Sequence, residues 1–540
     1  MIESLAVIAS LAFVELLAAE RAYNALHILQ AEHYENARLR DWIKRRHERV
    51  PLKELGAALA IVAIAAILST ISVVAALVAG VLGVASAARI LKRSLTGEQI
   101  RPLVFTVRVR RIAAITMVLA LLPAIAIAVL VSGPIGFVVA GLFGASLIVA
   151  APEIVAAANV LDGPLRAIDE RRFVDSARAR LEEVSPAVIG ITGSYGKTST
   201  KQAVAAVADL AGPSYATPAS YNSYLGVIKA INEGLSSTHR HFICEMGAYR
   251  RGDIAALCDL TNPTIGIITA IGPAHLERFG TLDATEKAKG ELAEALPTDG
   301  LLIANYDDPR CRSIAMRSPC PVWLYSVADD SQTELEARNM RISAARSEFD
   351  LCSRIPGTEG SWQVRSRLLG KHNVGNLLAA AAVGFRLGLD GSEIATRLGT
   401  LKPTKHRLSL INNKAAEIAV LDDSYNSNPA GAASALEVLG QFPAKRRVML
   451  TPGMVELGSS EREANQEFGR RAAAVCDLVI LAGVTRVDAI ERGLLSAGFD
   501  RDNIHRCDDG PDAHKLVAEI SQPGDVILFE NDLPDLYTGQ

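Results

Sequence analysis

Thr192-Gly193-Ser194-Tyr195-Gly196-Lys197-Thr198-Ser199 sets a lysine and a run of hydroxyls at the end of a glycine turn. The apolar run Ala187 to Ile191 before it reads as a buried strand, and Thr198 onward reads as a helix start. Such a turn aims backbone N–H groups and a helix N-terminus at one point, which suits a polyphosphate. Lys197 can then reach the β- and γ-phosphates and Thr198 can hold Mg2+ through its hydroxyl, with Gly193, Ser194, Tyr195, Gly196 and Ser199 completing the cradle. The strict phosphate-loop pattern wants a glycine where Ile191 stands, so the spacing alone leaves a nucleotide site and an ordinary strand–turn–helix both open.

Further chemistry-bearing residues stand at the ends of other apolar runs. His241 to Cys244 reads as a strand ending at Glu245. A carboxylate there lies where α/β sheets gather ligands, and it can complete a Mg2+ shell, since hard cations prefer oxygen. Thr264 to Ala270 reads as another strand, leading through Gly272-Pro273 to His275, and Lys289 follows fourteen residues on, with Lys287 as its rival. Taken alone, a single histidine and a helix lysine are more often structural than functional. Asn222, in the polar loop from Pro218 to Gly226, is either a solvent-loop residue or a substrate contact. Leu369 to Asn376 opens a helix over 377–387, and His372-Asn373 there is also an N-cap signal. Beyond the Pro403 break stands Arg407, whose permanently charged fork suits phosphate. The strand Ala416 to Leu421 runs into Asp422-Asp423-Ser424-Tyr425-Asn426-Ser427-Asn428-Pro429.

These stretches, with Glu245-Met246-Gly247-Ala248, Gly272 to Glu291, Asn305 to Pro309 and Pro452 to Gly458, resemble the Mur ligase family and within it the MurF type, over roughly residues 186–535. The resemblance implies a central P-loop α/β domain and a Rossmann-like α/β C-terminal domain. It implies ATP at the 193–199 loop and two Mg2+ sites. Thr198 and Glu245 would serve the metals, together with His275 and a CO2-derived carbamate on Lys289. Asn373 and Asn376 would reach the adenine, Asp423, Tyr425 and Asn426 would close over ribose and base, and Arg407 would cross the domain seam to the phosphates. Asn222 would lie near the acceptor. Lys197, His275 and Lys289 are the catalytic set, and the implied chemistry is amide-bond formation through an acyl phosphate. The end of the chain, Phe529-Glu530-Asn531-Asp532, departs from the basic Lys-Gly-Ser-Arg-like close of MurF, so a D-alanyl-D-alanine substrate does not follow.

The N-terminal third departs further. Apolar segments near 3–19, 54–70, 72–90, 112–132 and 135–158 each have the length of a membrane span. Arg38 to Lys53 and Lys92 to Arg111 supply basic loops, while the turns at 69–72 and 132–134 are uncharged. By the positive-inside rule five spans place the N-terminus outside and the rest in the cytosol. Mean hydropathy of +0.22 with 49% hydrophobic residues agrees with a membrane part. Glu15 falls inside the first segment, 30–49 reads as a surface helix, and 161–185 as a solvated connecting helix. A net charge of −3 excludes a nucleic-acid footprint. Seven cysteines without a CxxC pair read as reduced thiols, with no zinc site.

The expected organisation is an α-helical transmembrane domain (1–160, about five spans), a linker helix (161–185), a central ATP-binding domain (186–402) and a C-terminal domain (403–540). The expected protein is a multi-pass inner-membrane ligase with cytoplasmic catalytic domains. It would join an amino acid or short peptide amine to an envelope-type carboxylate acceptor, lipid-linked in this reading. An ATP-driven transport or gating protein and a polyglutamate-type capsule polyamide synthetase remain as alternatives.

Overall fold

The computed structural model describes residues 2–32, 34–45, 103–130, 133–219, 221–274, 276–329, 332–413, 417–425, 427–455, 457–483 and 486–531, with isolated positions 56, 60, 63, 67 and 84. The chain divides into two compact units, Met1–Arg172 and Phe173–Gln540.

The first unit is helical: Ile2–Ala31, Asn36–Arg45, Val107–Leu130 and Gly133–Leu161, followed by the start of Gly163–Val184. Three of the five expected spans fall on these helices, while 54–70 and 72–90 lie almost wholly outside the described residues. Among the described residues no single helix is long and apolar enough to cross a membrane. Only the bent pair Ala145–Leu161 and Gly163–Val184, 45° apart, reaches that measure together. The multi-pass inner-membrane placement, and with it the lipid bilayer as a partner, is therefore corrected. The physical reason lies in how the apolar residues are used. Ala25, Leu29, Leu39, Val109, Ile112 and Val155 bury one another, as do Leu17, Leu147 and Ile148. A run apolar on every face serves a protein core as well as a bilayer. Polar clamps reinforce the bundle. Arg111 Nε lies 2.7 Å from the fully buried Asp162, and the Arg108 guanidinium stacks 3.7 Å over Tyr34.

The second unit holds two sheets. The first contains β1 (Ala187–Thr192), β2 (Ser214–Ala216), β3 (His241–Glu245), β4 (Ile265–Ile268), β5 (Leu301–Asn305), β6 (Val322–Ser326), β7 (Leu335–Ile342), β8 (Ser347–Ser353) and β9 (Gly360–Ser366). Their order is β2-β3-β1-β4-β5-β6-β7-β8-β9. The sheet is parallel as far as β7, and the β7–β8 and β8–β9 pairs are antiparallel. β1 is buried at every residue after Ala187, as expected of a parallel strand covered on both faces. The chain leaves β1 for the edge strand β2, returns through β3 and crosses β1 to β4. That reversal opens a crevice beyond the C-terminal ends of β1, β3 and β4, where open α/β sheets bind ligands.

Helix Leu282–Ala295 packs closely on β1 and β4 because Gly190 and Gly266, partners in register, have no side chains there. A Cβ at Gly190 would stand 2.9 Å from Leu292, and one at Gly266 2.9 Å from Leu296. This approach buries Lys289 at the helix centre.

The second sheet has the order β10-β11-β15-β12-β13-β14, where β10 is Ser409–Asn413, β11 Ile418–Asp423, β12 Arg446–Thr451, β13 Leu478–Ala482, β14 Ile504–Cys507 and β15 Asp525–Glu530. Only β10–β11 is antiparallel. Helices Pro429–Gly440, Glu461–Ala473, Val487–Ser496 and Gly510–Ile520 alternate with its strands along the chain. Fully buried Leu421, Ala435, Met449, Val479, Ile490 and Leu528 centre one face of this sheet.

Candidate active site

The loop after β1 is shaped by two glycines. Gly193 has φ +147°, and a Cβ there would stand 2.0 Å from Thr269 Oγ1. Gly196, at φ +79°, begins helix Lys197–Ala211 without a side-chain cap, so the first N–H groups of the helix stay available. Ser194 ties the loop to the end of β4: its N–H donates to Ala270 O (2.7 Å), and its hydroxyl accepts from Gly272 N–H (3.0 Å). Tyr195 packs on Gly272, where a Cβ would meet its ring at 2.3 Å, and burial followed by the Asp308 charge raises the Tyr195 phenol pKa.

Lys197 folds back and donates to Gly193 O (2.7 Å) and Ser194 O (3.2 Å). Burial lowers its pKa, Glu245 opposes that shift and Arg407 adds to it. Thr198 Oγ1 accepts from Arg407 Nη2 at 3.4 Å. Ser199 is half-buried in the same first turn.

Glu245 ends β3 and is 1% exposed. Lys201 Nζ lies 2.9 Å from its Oε2, and Asn222 Nδ2 donates to its Oε1 at 3.0 Å. Burial works to raise its pKa, but Lys201, Lys197 and Asn222 together hold it below the usual glutamate value. Lys289 is 3% exposed, with no hydrogen-bond or ion-pair partner among the described residues; its Nζ stands 5.9 Å from the Phe279 ring centre. Burial, then repulsion from Lys197, pushes its pKa well below the ordinary lysine value, against weaker pulls from Asp253, Glu291 and Glu245. His275 lies outside the described residues.

Asn376 sits beside the phosphate loop. Its Oδ1 accepts from Thr200 Oγ1 (2.9 Å) and would lie 2.7 Å from a Cβ at Gly196, while its Nδ2 donates to Asn373 Oδ1 (3.2 Å). Asn373 Nδ2 donates to Leu369 O (2.8 Å). Across the seam to the second sheet, His372 at the exposed start of its helix meets Ser434 Oγ through Nδ1 at 2.8 Å.

Arg407 is aimed by its neighbours. His406 and Leu408 adopt φ +62° and +48°, a conformation that costs a non-glycine residue about 1–2 kcal/mol. Two aspartates hold it: His406 Nδ1 lies 2.8 Å from Asp422 Oδ2, and Leu408 N–H donates to Asp423 Oδ1 at 2.9 Å. The guanidinium then stacks 4.2 Å over the Tyr425 ring. Burial raises the Asp423 pKa to about 7, the Leu408 N–H and Arg407 pulling the other way and Asp422 adding to the rise. Its partner in register, Glu530, is fully buried and raised well above the usual value, first by burial and then by Asp423. Asn426 lies outside the described residues.

One end of the first sheet therefore gathers Lys197, Thr198, Glu245, Asn222, Asn376 and Arg407, with Lys289 buried close enough to feel the charges of Lys197 and Glu245. Three contributors were not legible as functional residues: Lys201, one turn beyond Lys197 on the same helix, and His406 and Asp422, each adjacent to a residue that was. Spacing of i, i+4 from Lys197 could have flagged the first.

Residues 191–384 match the Mur ligase middle domain, and residues 406–530 match the Mur ligase glutamate ligase domain. The UDP-N-acetylmuramoyl-tripeptide–D-alanyl-D-alanine ligase of Mycobacterium leprae is 32% identical over 366 residues, covering 64% of this chain and 70% of that protein. The Escherichia coli ligase of the same name is 32% identical over 57% of this chain and 65% of its own. MurF from Acinetobacter baumannii superposes with a TM-score of 0.58 at 25% identity, over 66% of this chain and 76% of that one. MurF from Thermotoga maritima, solved in complex with ADP, shares the fold with a TM-score of 0.59 at 24% identity, over 67% of this chain and 80% of that one. By sequence and by fold, the chain belongs to the Mur ligase family of ATP-dependent ligases.

Proposed function

We propose that the protein is a MurF-type peptide ligase of cell-wall synthesis that works through an acyl phosphate. The observation that carries this reading is the convergence of Lys197, Thr198, Glu245 and Arg407 beyond the C-terminal ends of β1 and β3. The residues fit a magnesium–triphosphate. Gly193 lets the loop turn tightly against Thr269 and Ala270, the helix start at Gly196 is uncapped, and Glu245 is held ionised. Mg2+ at Thr198 and Glu245 would offset phosphate charge and polarise the γ-phosphoryl group.

The chain's own residues supply the rest. Lys197 exchanges its loop carbonyls for phosphate oxygens, and Arg407 crosses from the second sheet to the same oxygens. An acceptor carboxylate oxygen attacks the γ-phosphorus and ADP leaves; the amine then attacks the acyl carbon and phosphate leaves. Positioning and charge compensation provide the catalysis. Lys289, whose burial favours the neutral amine, suits attack on CO2: an N–C bond forms, a proton leaves the nitrogen, and the amine becomes an anionic carbamate. That anion, with His275, would serve a second Mg2+. Asn373, Asn376, Tyr425 and Asn426 are assigned to the nucleoside, and Asn222 to the acceptor.

Hydroxylamine trapping tests the intermediate. Full-length protein with ATP, Mg2+, UDP-N-acetylmuramoyl tripeptide and hydroxylamine should yield a hydroxamate before any dipeptide amine is added. Phosphate release that runs equally fast without a carboxylate would refute it.

A further inference from the structure

Lys201 is 3% exposed, yet the phosphate chemistry proposed above makes no use of it. Its Nζ reaches two elements from helix Lys197–Ala211. It lies 2.9 Å from Glu245 Oε2 at the end of β3, and it donates to Ala219 O at 2.7 Å in the loop that carries Asn222. Glu245 Oε2 has no other partner among the described residues, whereas Oε1 accepts from Asn222. The loop is fixed to β3 at two more points, since Glu245 N–H donates to Thr217 Oγ1 (3.2 Å) and Gly247 N–H donates to Asn222 O (2.7 Å). The contact is tight: a Cβ on Gly247 would stand 2.9 Å from the Asn222 amide.

We infer that Lys201 is a positioning residue that couples the metal carboxylate to the acceptor loop. By holding Oε2 it fixes the carboxylate plane and leaves Oε1 as the oxygen that faces the crevice. By holding Ala219 O it fixes the loop whose Asn222 shares that same Oε1. Metal and acceptor thus bear on one carboxylate from two sides, and a coupling free energy between them is reciprocal. Removal of the ammonium leaves the buried carboxylate only Lys197 and Asn222 to offset its charge, and takes one of the anchors from the loop. Lys201 touches neither phosphate nor acceptor; it acts through Glu245 and Ala219. This inference rests on the reading of Glu245 as a metal-shell group.

The test uses full-length Lys201→Met and Glu245→Gln, with Mn2+ as the metal probe. Mn2+ binding to the complex with a non-hydrolysable ATP analogue is followed by electron paramagnetic resonance, and amide hydrogen exchange is measured over 217–223. Lys201→Met should weaken Mn2+ binding at least tenfold and speed exchange in 217–223, while 203–211 keeps its protection. If Glu245→Gln weakens Mn2+ binding but Lys201→Met changes it less than twofold, the Lys201 inference is overturned. If Glu245→Gln itself leaves Mn2+ binding unchanged, the metal reading of Glu245 falls instead. Should Lys201→Met fail to fold, Lys201→Met/Glu245→Gln removes both buried charges, and unchanged exchange in 217–223 would then refute the loop anchor.

Discussion

Replacement of Gly193 by alanine tests the phosphate loop most directly. At φ +147° a side chain is strained, costing about 1–3 kcal/mol. The new Cβ would also stand 2.0 Å from Thr269 Oγ1, so that hydroxyl must turn away from Tyr195 O and Thr192 O. A hydroxyl has one proton to give, so the loss is one hydrogen bond, about 0.5–1.5 kcal/mol. Ala270 N and O, each 3.1 Å from the new carbon, leave little room for relief by backbone movement. The sum is about 1.5–4.5 kcal/mol. Trp323 in β6 and Trp362 in β9 report on the first sheet, so urea unfolding followed by their fluorescence measures the change. Gly193→Ala/Thr269→Ala, which removes the clashing oxygen, should lose less than the sum of the single variants by about 1 kcal/mol. ATP-analogue binding should weaken in parallel in Gly193→Ala. A cost under about 0.5 kcal/mol, the range of an inconsequential surface change, would refute the steric reasoning.

Three further outcomes are expected. Activity should fall in CO2-depleted buffer and return with bicarbonate, and because Lys289 must be uncharged to react, this dependence should sharpen as pH falls towards its depressed pKa; a rate indifferent to CO2 would exclude the carbamate. Arg407→Lys loses both the bidentate fork and the stack on Tyr425, and kcat/KM for ATP should drop about 10–100-fold, the equivalent of the roughly 1.5–3 kcal/mol of a charged hydrogen bond; an unchanged value would remove Arg407 from the phosphates. Asp423 and Glu530 both have folded pKa values above their unfolded ones, so the folded state binds more protons and stability falls as pH rises from about 4 through about 7; Glu530→Gln should flatten that fall in urea midpoints measured at pH 5.5 and pH 8, and an unaltered slope would sink the acid-pair reading.

The strands Ala187–Thr192, His241–Glu245 and Ile418–Asp423 could be read in advance because each is an apolar run followed by a glycine or acidic turn. β7, β8 and β9 could not. Glu336, Arg338 and Arg341 interrupt β7, and its ladder shifts register between Arg338 and Arg341, so no clean alternation survives in sequence. β10 and β14 are short edge strands whose pairing depends on neighbours far along the chain. Site residues at strand ends were legible for the same reason the strands were. Lys201 was not, because a lysine on a helix gives no sign of its burial until β3 and the 217–222 loop are brought against it. The N-terminal third misled because length and apolarity alone do not show what covers a helix: in Val107–Leu130, Val109 and Ile112 are buried among other helices while Met117, Val118 and Leu122 are exposed.

The glycine pair at 190 and 266 bears on how the site assembles. Helix Leu282–Ala295 is seated so closely on β1 and β4 that Lys289 is set against the strand that carries the phosphate loop. Glu245, on β3, is hydrogen-bonded into the same sheet. Arg407 belongs to the second sheet, held over Tyr425 by Asp422 and Asp423. The lysine, the carboxylate and the loop thus share one frame, and the second sheet brings the guanidinium to it, within reach of Thr198.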